Sequence, residues 1–213
     1  MTRSDLTHLC FLLDRSGSME SIKTDTEGGY AAFVGEQHAT DGECLVTLAQ
    51  FDDVYEVVFA DRPVVEVAAL ALQPRGRTAL LDAMGRLITE TGTRLAALPE
   101  DERPGTVIVA IMTDGHENAS QEWTRPAIRA LVEQQSTAYG WEFLYLGADQ
   151  DAVEVGRGLG VKAESSITYG RGKSAEAMVA GSDKVRRLRE ARTHDAAAPM
   201  PAFTAQERQD LLD

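Results

Sequence analysis

Residues 6–19 are LTHLCFLLDRSGSM, an apolar run that ends abruptly at an acidic residue. The residues from Leu6 to Leu13 are nearly all apolar, which is typical of a strand buried on both faces of a parallel sheet. Asp14 ends this strand, and Gly17 permits the tight backbone by which the chain turns into a helix. A buried strand followed by a turn and a helix indicates an α/β protein.

Three oxygen-bearing side chains, Asp14, Ser16 and Ser18, occupy alternate positions of this turn. Because they can converge on one point, they form a candidate site for a hard cation such as Mg²⁺ or Mn²⁺, whereas zinc prefers nitrogen and sulfur ligands. The ordinary alternative is a helix N-cap, in which one side chain accepts a hydrogen bond from a free N–H group of the next helix. This stretch by itself favours neither interpretation.

Further strands and helices alternate along the chain. Hydrophobic periodicity predicts strands at residues 43–51, 54–60, 106–113, 141–146 and 165–169. It predicts helices at residues 19–38, 79–98, 149–159 and 174–192, and one that begins near Thr124. The strands at residues 43–51 and 54–60 are joined by a turn too short for a parallel connection. The chain therefore predicts a doubly wound, Rossmann-like α/β fold: a mostly parallel sheet of about six strands, one antiparallel edge strand, and helices on both faces.

Composition and charge limit the organisation and the partners. With 213 residues, 43% of them hydrophobic, we expect one domain at residues 1–192 and a loose C-terminal arm with a short docking helix at residues 193–213. The formal charge of −13 repels phosphate backbones, so we expect no nucleic-acid partner. No apolar run approaches the roughly 20 residues that span a bilayer, and the polar start of the chain lacks a signal peptide's apolar core. We therefore expect a cytoplasmic protein without a membrane partner.

Cysteines and a basic cluster give two smaller predictions. Cys10 and Cys44 lie in apolar strand-like runs, so we expect buried free thiols, and a disulfide is the less favoured alternative in a protein that is not secreted. Positive charge near the end of the last helix is expected to interact with the negative end of that helix rather than with a ligand. The cluster comprises Lys184, Arg186, Arg187, Arg189 and Arg192.

A second acid completes a candidate site. The nearly all-apolar strand at residues 106–113 is followed by Asp114, as the first strand is followed by Asp14. Ligands of doubly wound folds bind at the carboxyl ends of the strands, where the strand order reverses. The two acids are expected to face each other there, and Thr78, at the mouth of the helix at residues 79–98, adds a hydroxyl. This coincidence favours the cation site over the N-cap.

The segments LLDRSGSM, GRTALLDA and MTDGHENAS resemble the metal-ion-dependent adhesion site of von Willebrand factor A domains. Asp14, Ser16 and Ser18 match its DxSxS element, Thr78 matches the threonine of its second loop, and Asp114 matches the acid of its third. Three spaced motifs in the correct order make the resemblance specific. The QFDD and GADQDA stretches are in addition similar to small stand-alone bacterial members of the family.

The resemblance implies a binding module and not an enzyme. If the neutral hydroxyls bind Mg²⁺ or Mn²⁺ directly while carboxylates act through water, the charge of the ion is only partly offset. Magnesium commonly keeps several waters, so one position is open to an outside oxygen, and the ion favours a carboxylate there. In the family, the resemblance implies, that carboxylate belongs to a Glu or Asp of a partner protein.

Two other functions stay open from the sequence. The module can be a regulatory subunit of an ATPase, as its resemblance to chelatase-type and stress-response relatives permits. It can also be a metal-assisted hydrolase that uses His116 or Glu117 beside Asp114 as a base. A solvated loop is the favoured interpretation of these two residues, because the sequence contains no nucleophile elbow and no second metal cluster.

Overall fold

A computed structural model describes residues 2–212. Its strands are β1 (Arg3–Asp14), β2 (Glu43–Phe51), β3 (Tyr55–Pro63), β4 (Pro104–Thr113), β5 (Glu142–Ala148) and β6 (Ser166–Tyr169). Its α-helices are α1 (Lys23–Ala39), α2 (Leu80–Ala97), α3 (Arg125–Tyr139), α4 (Ala152–Gly158), α5 (Ser174–Arg192) and α6 (Ala205–Asp210). Short 3-10 helices lie at Gly17–Ile22, Val64–Glu66, Glu100–Glu102 and Ala163–Ser165. Each predicted strand and helix is present, with ends that differ from the prediction by up to three residues, but the helix predicted at residues 19–38 is a 3-10 helix followed by α1.

The six strands form one sheet in the order β3-β2-β1-β4-β5-β6. All neighbours are parallel except β2 and β3, which makes β3 the antiparallel edge strand that the sequence predicts. The chain adds β2 and β3 on one side of β1, and then β4, β5 and β6 on the other. Strand order therefore reverses between β1 and β4, whose carboxyl ends lie side by side with Leu13 paired to Met112.

The helices follow the signals in the sequence. Leu80, Met84 and Leu87 lie on the buried face of α2, as its three- and four-residue apolar spacing predicts. Thr124 is the N-cap of α3, and its side chain accepts a hydrogen bond from the backbone N–H of Ala127. None of the helices within residues 2–212 is both long enough and apolar enough to cross a lipid bilayer.

The hydrophobic core has two halves, one on each face of the sheet. Successive side chains of β1 alternate between them: Leu9 and Phe11 belong to one half, and Cys10 and Leu12 to the other. Burial on both faces explains the continuous apolar run of this strand. Cys44 packs in the half opposite to Cys10, and both thiols are free and buried, as predicted.

The C-terminal arm is packed on the domain. Met200, Phe203 and Leu211 of the arm are buried in the half of the core that also covers β6. Arg208, on the predicted docking helix α6, donates hydrogen bonds of 2.8 Å to the carbonyl of Ser166 and 3.0 Å to that of Ala163. The arm is thus held more firmly than a loose segment.

The basic cluster of α5 differs from its prediction. Arg189 is buried and donates to the carbonyl oxygens of Gln37 at 2.8 Å and Gly42 at 3.0 Å. Lys184 is also buried, and its Nζ donates to the carbonyl of Glu164 at 3.0 Å. The prediction that these cations chiefly interact with the negative end of their own helix is wrong for both residues, because they bind carbonyl groups of other segments.

Candidate metal centre

Three loops meet at the carboxyl ends of β1 and β4. Asp14 is the last residue of β1, and Ser16 and Ser18 follow it at the turn into the first 3-10 helix. Asp114 directly follows β4, and Thr78 lies two residues before α2 begins. The reversal of strand order between β1 and β4 thus brings together segments that are far apart in the sequence.

Hydrogen bonds join four of the five predicted site residues. Oδ1 of Asp14 accepts from the backbone N–H of Ser16 at 2.7 Å. The Oγ atoms of Ser16 and Ser18 lie 3.0 Å apart, and Ser18 donates to Oδ1 of Asp114 at 2.5 Å. Ser16 is the N-cap residue of the following 3-10 helix, but its side chain makes no capping hydrogen bond. The N-cap alternative therefore does not explain this serine.

Thr78 reaches the same place from the second loop. Its backbone N–H donates to Oδ1 of Asn118 at 3.0 Å, and the N–H of Asn118 donates to the carbonyl of Thr78 at 3.0 Å. At Gly115, a β-carbon would lie 2.7 Å from Oγ1 of Thr78 and 3.5 Å from Oδ2 of Asp14. Only the absence of a side chain at Gly115 allows the second and third loops to approach so closely.

Thr113 is a site residue that the sequence analysis missed. Its hydroxyl donates to Oδ2 of Asp14 at 2.5 Å and accepts from the N–H of Gly115 at 3.1 Å. Thr113 thus fixes the orientation of the Asp14 carboxylate. Leu13 pairs with Met112, so the residues that follow them, Asp14 and Thr113, lie side by side. The register of these two strands is the signal from which Thr113 could have been predicted.

The two carboxylates are buried with few donors. Burial raises the pKa of Asp14 to about 6, although hydrogen bonds from Thr113 and Ser16 oppose this shift. Burial also raises the pKa of Asp114. Oδ2 of Asp114 accepts no hydrogen bond within residues 2–212, and its ion-pair contact is with Nη2 of Arg171, 3.8 Å away. Buried carboxylates with an unpaired oxygen are stabilised by a bound cation, so the donor set fits a divalent metal.

Hydroxyl groups must supply part of any such ligand set. In the described part of the chain, no three His, Cys, Asp or Glu side chains are arranged to hold a metal ion. The site at β1 and β4 offers two carboxylates, together with the hydroxyls of Ser16, Ser18 and Thr78. This is an all-oxygen set, which suits Mg²⁺ or Mn²⁺ and does not suit zinc.

Glu117 has a structural role beside the site. Its carboxylate accepts from the backbone N–H groups of Leu81, Ala119 and Ser120 at 2.8–2.9 Å and from Oγ of Ser120 at 2.7 Å. Four donors thus occupy its two oxygens and tie the third loop to α2. His116 is exposed. These contacts argue against Glu117 as the general base of a hydrolase.

Comparison with known proteins gives matches in structure alone. No protein-family model matches the chain, and no curated protein matches it in sequence. The ArnB paralog VWA2 from Sulfolobus acidocaldarius superposes with a TM-score of 0.56 at 13% identity, over 84% of this chain and 44% of that one. A von Willebrand factor type A protein from Catenulispora acidiphila gives a TM-score of 0.55 at 12% identity, over 84% of this chain and 42% of that one.

A third structure matches over nearly its whole length. The von Willebrand factor domain of the type V pili tip protein Mfa5 from Porphyromonas gingivalis has a TM-score of 0.55 at 12% identity, over 85% of this chain and 95% of that one. The chain spans less than half of the first two proteins. At such low identities, the superpositions show a shared fold and no more. This chain has the mixed six-stranded α/β fold of the von Willebrand factor A domains in these structures.

Proposed function

We propose that this chain is a protein-interaction module that binds Mg²⁺ or Mn²⁺ and uses the ion to hold an acidic side chain of a partner protein. The proposed metal ligands, direct or through water, are Asp14, Ser16, Ser18, Thr78 and Asp114. One observation carries the proposal: three loops bring two buried carboxylates and three hydroxyls to one point, where an oxygen of Asp114 accepts no hydrogen bond within residues 2–212.

The charge of this set supports capture of an acid. Three of the five side chains are neutral, so a divalent ion whose carboxylates are partly water-mediated keeps a net positive charge. Mg²⁺ commonly retains waters in such sites, and an outside carboxylate can replace one of them. The fold shared with a pili tip protein supports an interaction role over catalysis. An ATPase partner and a cytoplasmic location stay predictions from the sequence.

Metal titration with a Thr78 variant tests the proposal. We expect chelator-treated protein to bind Mn²⁺ or Mg²⁺ saturably at one site in a calorimetric titration. Thr78→Ala removes one hydroxyl ligand and should weaken the affinity at least about tenfold, since even changes next to a metal's ligands cost roughly 10–100-fold. Thr89→Ala, on the exposed face of α2, is the matched control and should bind as the wild type does. Absence of saturable binding by the wild-type protein would refute the metal site.

Gly115→Ala should disturb the site without removing a ligand. Its new methyl group would lie 2.7 Å from Oγ1 of Thr78, closer than carbon and oxygen atoms approach without a shift of one of them. We expect Mn²⁺ affinity to fall about tenfold. Gly28→Ala meets no atom within 4 Å and should leave the affinity unchanged. Equal Mn²⁺ affinity of Gly115→Ala and wild type would contradict the prediction that metal binding depends on the close approach of the second and third loops.

A further inference from the structure

A cationic side chain lies at the rim of the candidate metal centre. Arg171 belongs to the loop between β6 and α5, and its side chain is 48% exposed. Its Nη2 lies 3.8 Å from Oδ2 of Asp114, the carboxylate oxygen without a hydrogen bond in residues 2–212. Arg171 is therefore both next to a proposed metal ligand and partly open to solvent.

Asp149, in the loop after β5, holds Arg171 in this position. Its Oδ1 accepts from the backbone N–H of Arg171 at 3.2 Å, and its Oδ2 lies 3.2 Å from Nε of the same residue. The backbone N–H of Asp149 donates to the carbonyl of Tyr169 at 3.0 Å. Asp149 has φ +48°, in the left-handed region that few residues other than glycine adopt. Two loops are thus tied together so that the guanidinium group is placed beside Asp114.

The position of Arg171 argues against a site whose only role is to bind the metal. A positive charge within a few ångström of a divalent ion repels it, so a site that only held the metal would bind it more tightly without Arg171. The same charge favours an incoming carboxylate, and the planar guanidinium fork matches carboxylate geometry. Within residues 2–212 the ion pairs of this group are those with Asp149 and Asp114, which leaves others of its five N–H donors for an outside acceptor.

We propose that Arg171 is a specificity-determining residue of the site: it contacts the partner's carboxylate beside the metal and selects an acidic ligand over its neutral amide counterpart. This inference rests on the proposed function, because it requires the bound ion. Asp149 is then a positioning residue for Arg171. The simpler alternative is that Arg171 only joins the loops after β5 and β6, in which case its loss would change stability but not ligand preference.

Manganese-loaded protein provides the test. The water-proton relaxation enhancement of bound Mn²⁺ falls when a carboxylate replaces a bound water, so the binding of short peptides can be followed directly. The probes are a capped tripeptide with a central Glu and the same peptide with Gln. We expect the Glu peptide, and not the Gln peptide, to lower the enhancement of the wild-type complex. In Arg171→Gln, affinity for the Glu peptide should fall roughly tenfold, while Mn²⁺ affinity stays equal or rises.

Three further variants distinguish a role of Arg171 in ligand selection from a role in loop structure. Arg171→Lys keeps the charge and should retain part of the preference for Glu. Asparagine tolerates the left-handed backbone, so Asp149→Asn should lower the affinity for the Glu peptide without lowering the affinity for Mn²⁺. Arg129→Gln removes an equal charge from the exposed face of α3 and should behave as wild type.

Each contrary result has a distinct meaning. Failure of the wild type to bind Mn²⁺ would refute the proposed function and this inference with it. If Mn²⁺ binds but the wild type does not distinguish Glu from Gln, or Arg171→Gln binds the Glu peptide as tightly as wild type, the inference is wrong while the metal site stands. Loss of Mn²⁺ binding in both Arg171 variants would show that Arg171 only maintains the loops, which also overturns the inference.

Discussion

Asp14→Asn is expected to abolish Mg²⁺ and Mn²⁺ binding while it raises the free energy of unfolding of the metal-free protein. The substitution removes a charged ligand of the proposed ion, so we expect the affinity to fall by more than about 100-fold. In the metal-free protein, the Asp14 carboxylate is buried, accepts hydrogen bonds from the N–H of Ser16 and the hydroxyl of Thr113, and forms no ion pair within residues 2–212. The neutral amide avoids the unfavourable burial of charge, and the hydroxyl of Thr113 can rotate to accept from it.

The gain in stability should depend on pH in a defined direction. Burial raises the pKa of Asp14 to about 6 in the folded protein, above the value of 3.8 expected for an unfolded chain. Ionisation therefore destabilises the fold, and this cost is absent below pH 3.8 and complete above pH 6. Asp14→Asn should be more stable than wild type by on the order of 1–3 kcal/mol at pH 7, and by almost nothing near pH 4.

Urea unfolding in the presence of a chelator, between pH 4 and pH 8, measures this difference. Asp101→Asn changes an exposed carboxylate and serves as the control, with no expected effect on stability or metal affinity. If Asp14→Asn were less stable than wild type at pH 7, the carboxylate would be a structural acceptor rather than a group held ready for a cation.

Arg189→Met should produce a large loss of stability. The Arg189 guanidinium donates to the carbonyls of Gln37, Thr40, Asp41 and Gly42 and to the side-chain oxygen of Gln37. Methionine fills most of the volume but donates to none of these acceptors, of which those of Gln37 and Thr40 are buried. We expect a decrease of about 3–5 kcal/mol in the free energy of unfolding, because a buried acceptor left without a donor costs about 1–3 kcal/mol and more than one is left so here.

Arg186→Met, three residues earlier on α5, is the matched control. Its guanidinium forms partly exposed ion pairs with Glu36, Asp183 and Glu190, so its loss should change stability by less than about 1 kcal/mol. Thermal and urea unfolding of both variants give the comparison. Equal effects would mean that the loop between α1 and β2 keeps its carbonyls hydrated when Arg189 is lost.

The fold was predictable because its signals are local. The continuous apolar runs of β1 and β4 and the three- and four-residue spacing in α2 follow directly from what each element buries. The five proposed ligands were predicted from short motifs: Asp14, Ser16 and Ser18 at alternate positions directly after a buried strand, Asp114 directly after a second buried strand, and Thr78 just before a helix.

Other parts of the site depend on contacts that no local pattern records. Thr113 orients Asp14 only because of the register of β1 and β4. Arg171 reaches Asp114 only because Asp149 ties together the loops after β5 and β6. Arg189 has the sequence context of a surface residue near a helix end, yet it contacts the loop that follows α1. Such residues are found from strand pairing and helix packing, and not from composition or spacing.

The packed arm also covers the β6 edge of the sheet. Arg208 donates a hydrogen bond to the main-chain carbonyl of Ser166 in β6, and the N–H of Gly170, just after β6, donates to the carbonyl of Leu211. The arm thereby protects this margin of the sheet from pairing with a strand of another molecule. The opposite edge strand is β3, which carries exposed Val57 and Val58 and is the edge that an added strand would use. Molecules joined through β3 would keep the carboxyl ends of β1 and β4 open, so crowding or oligomer formation at that edge need not compete with ligand capture.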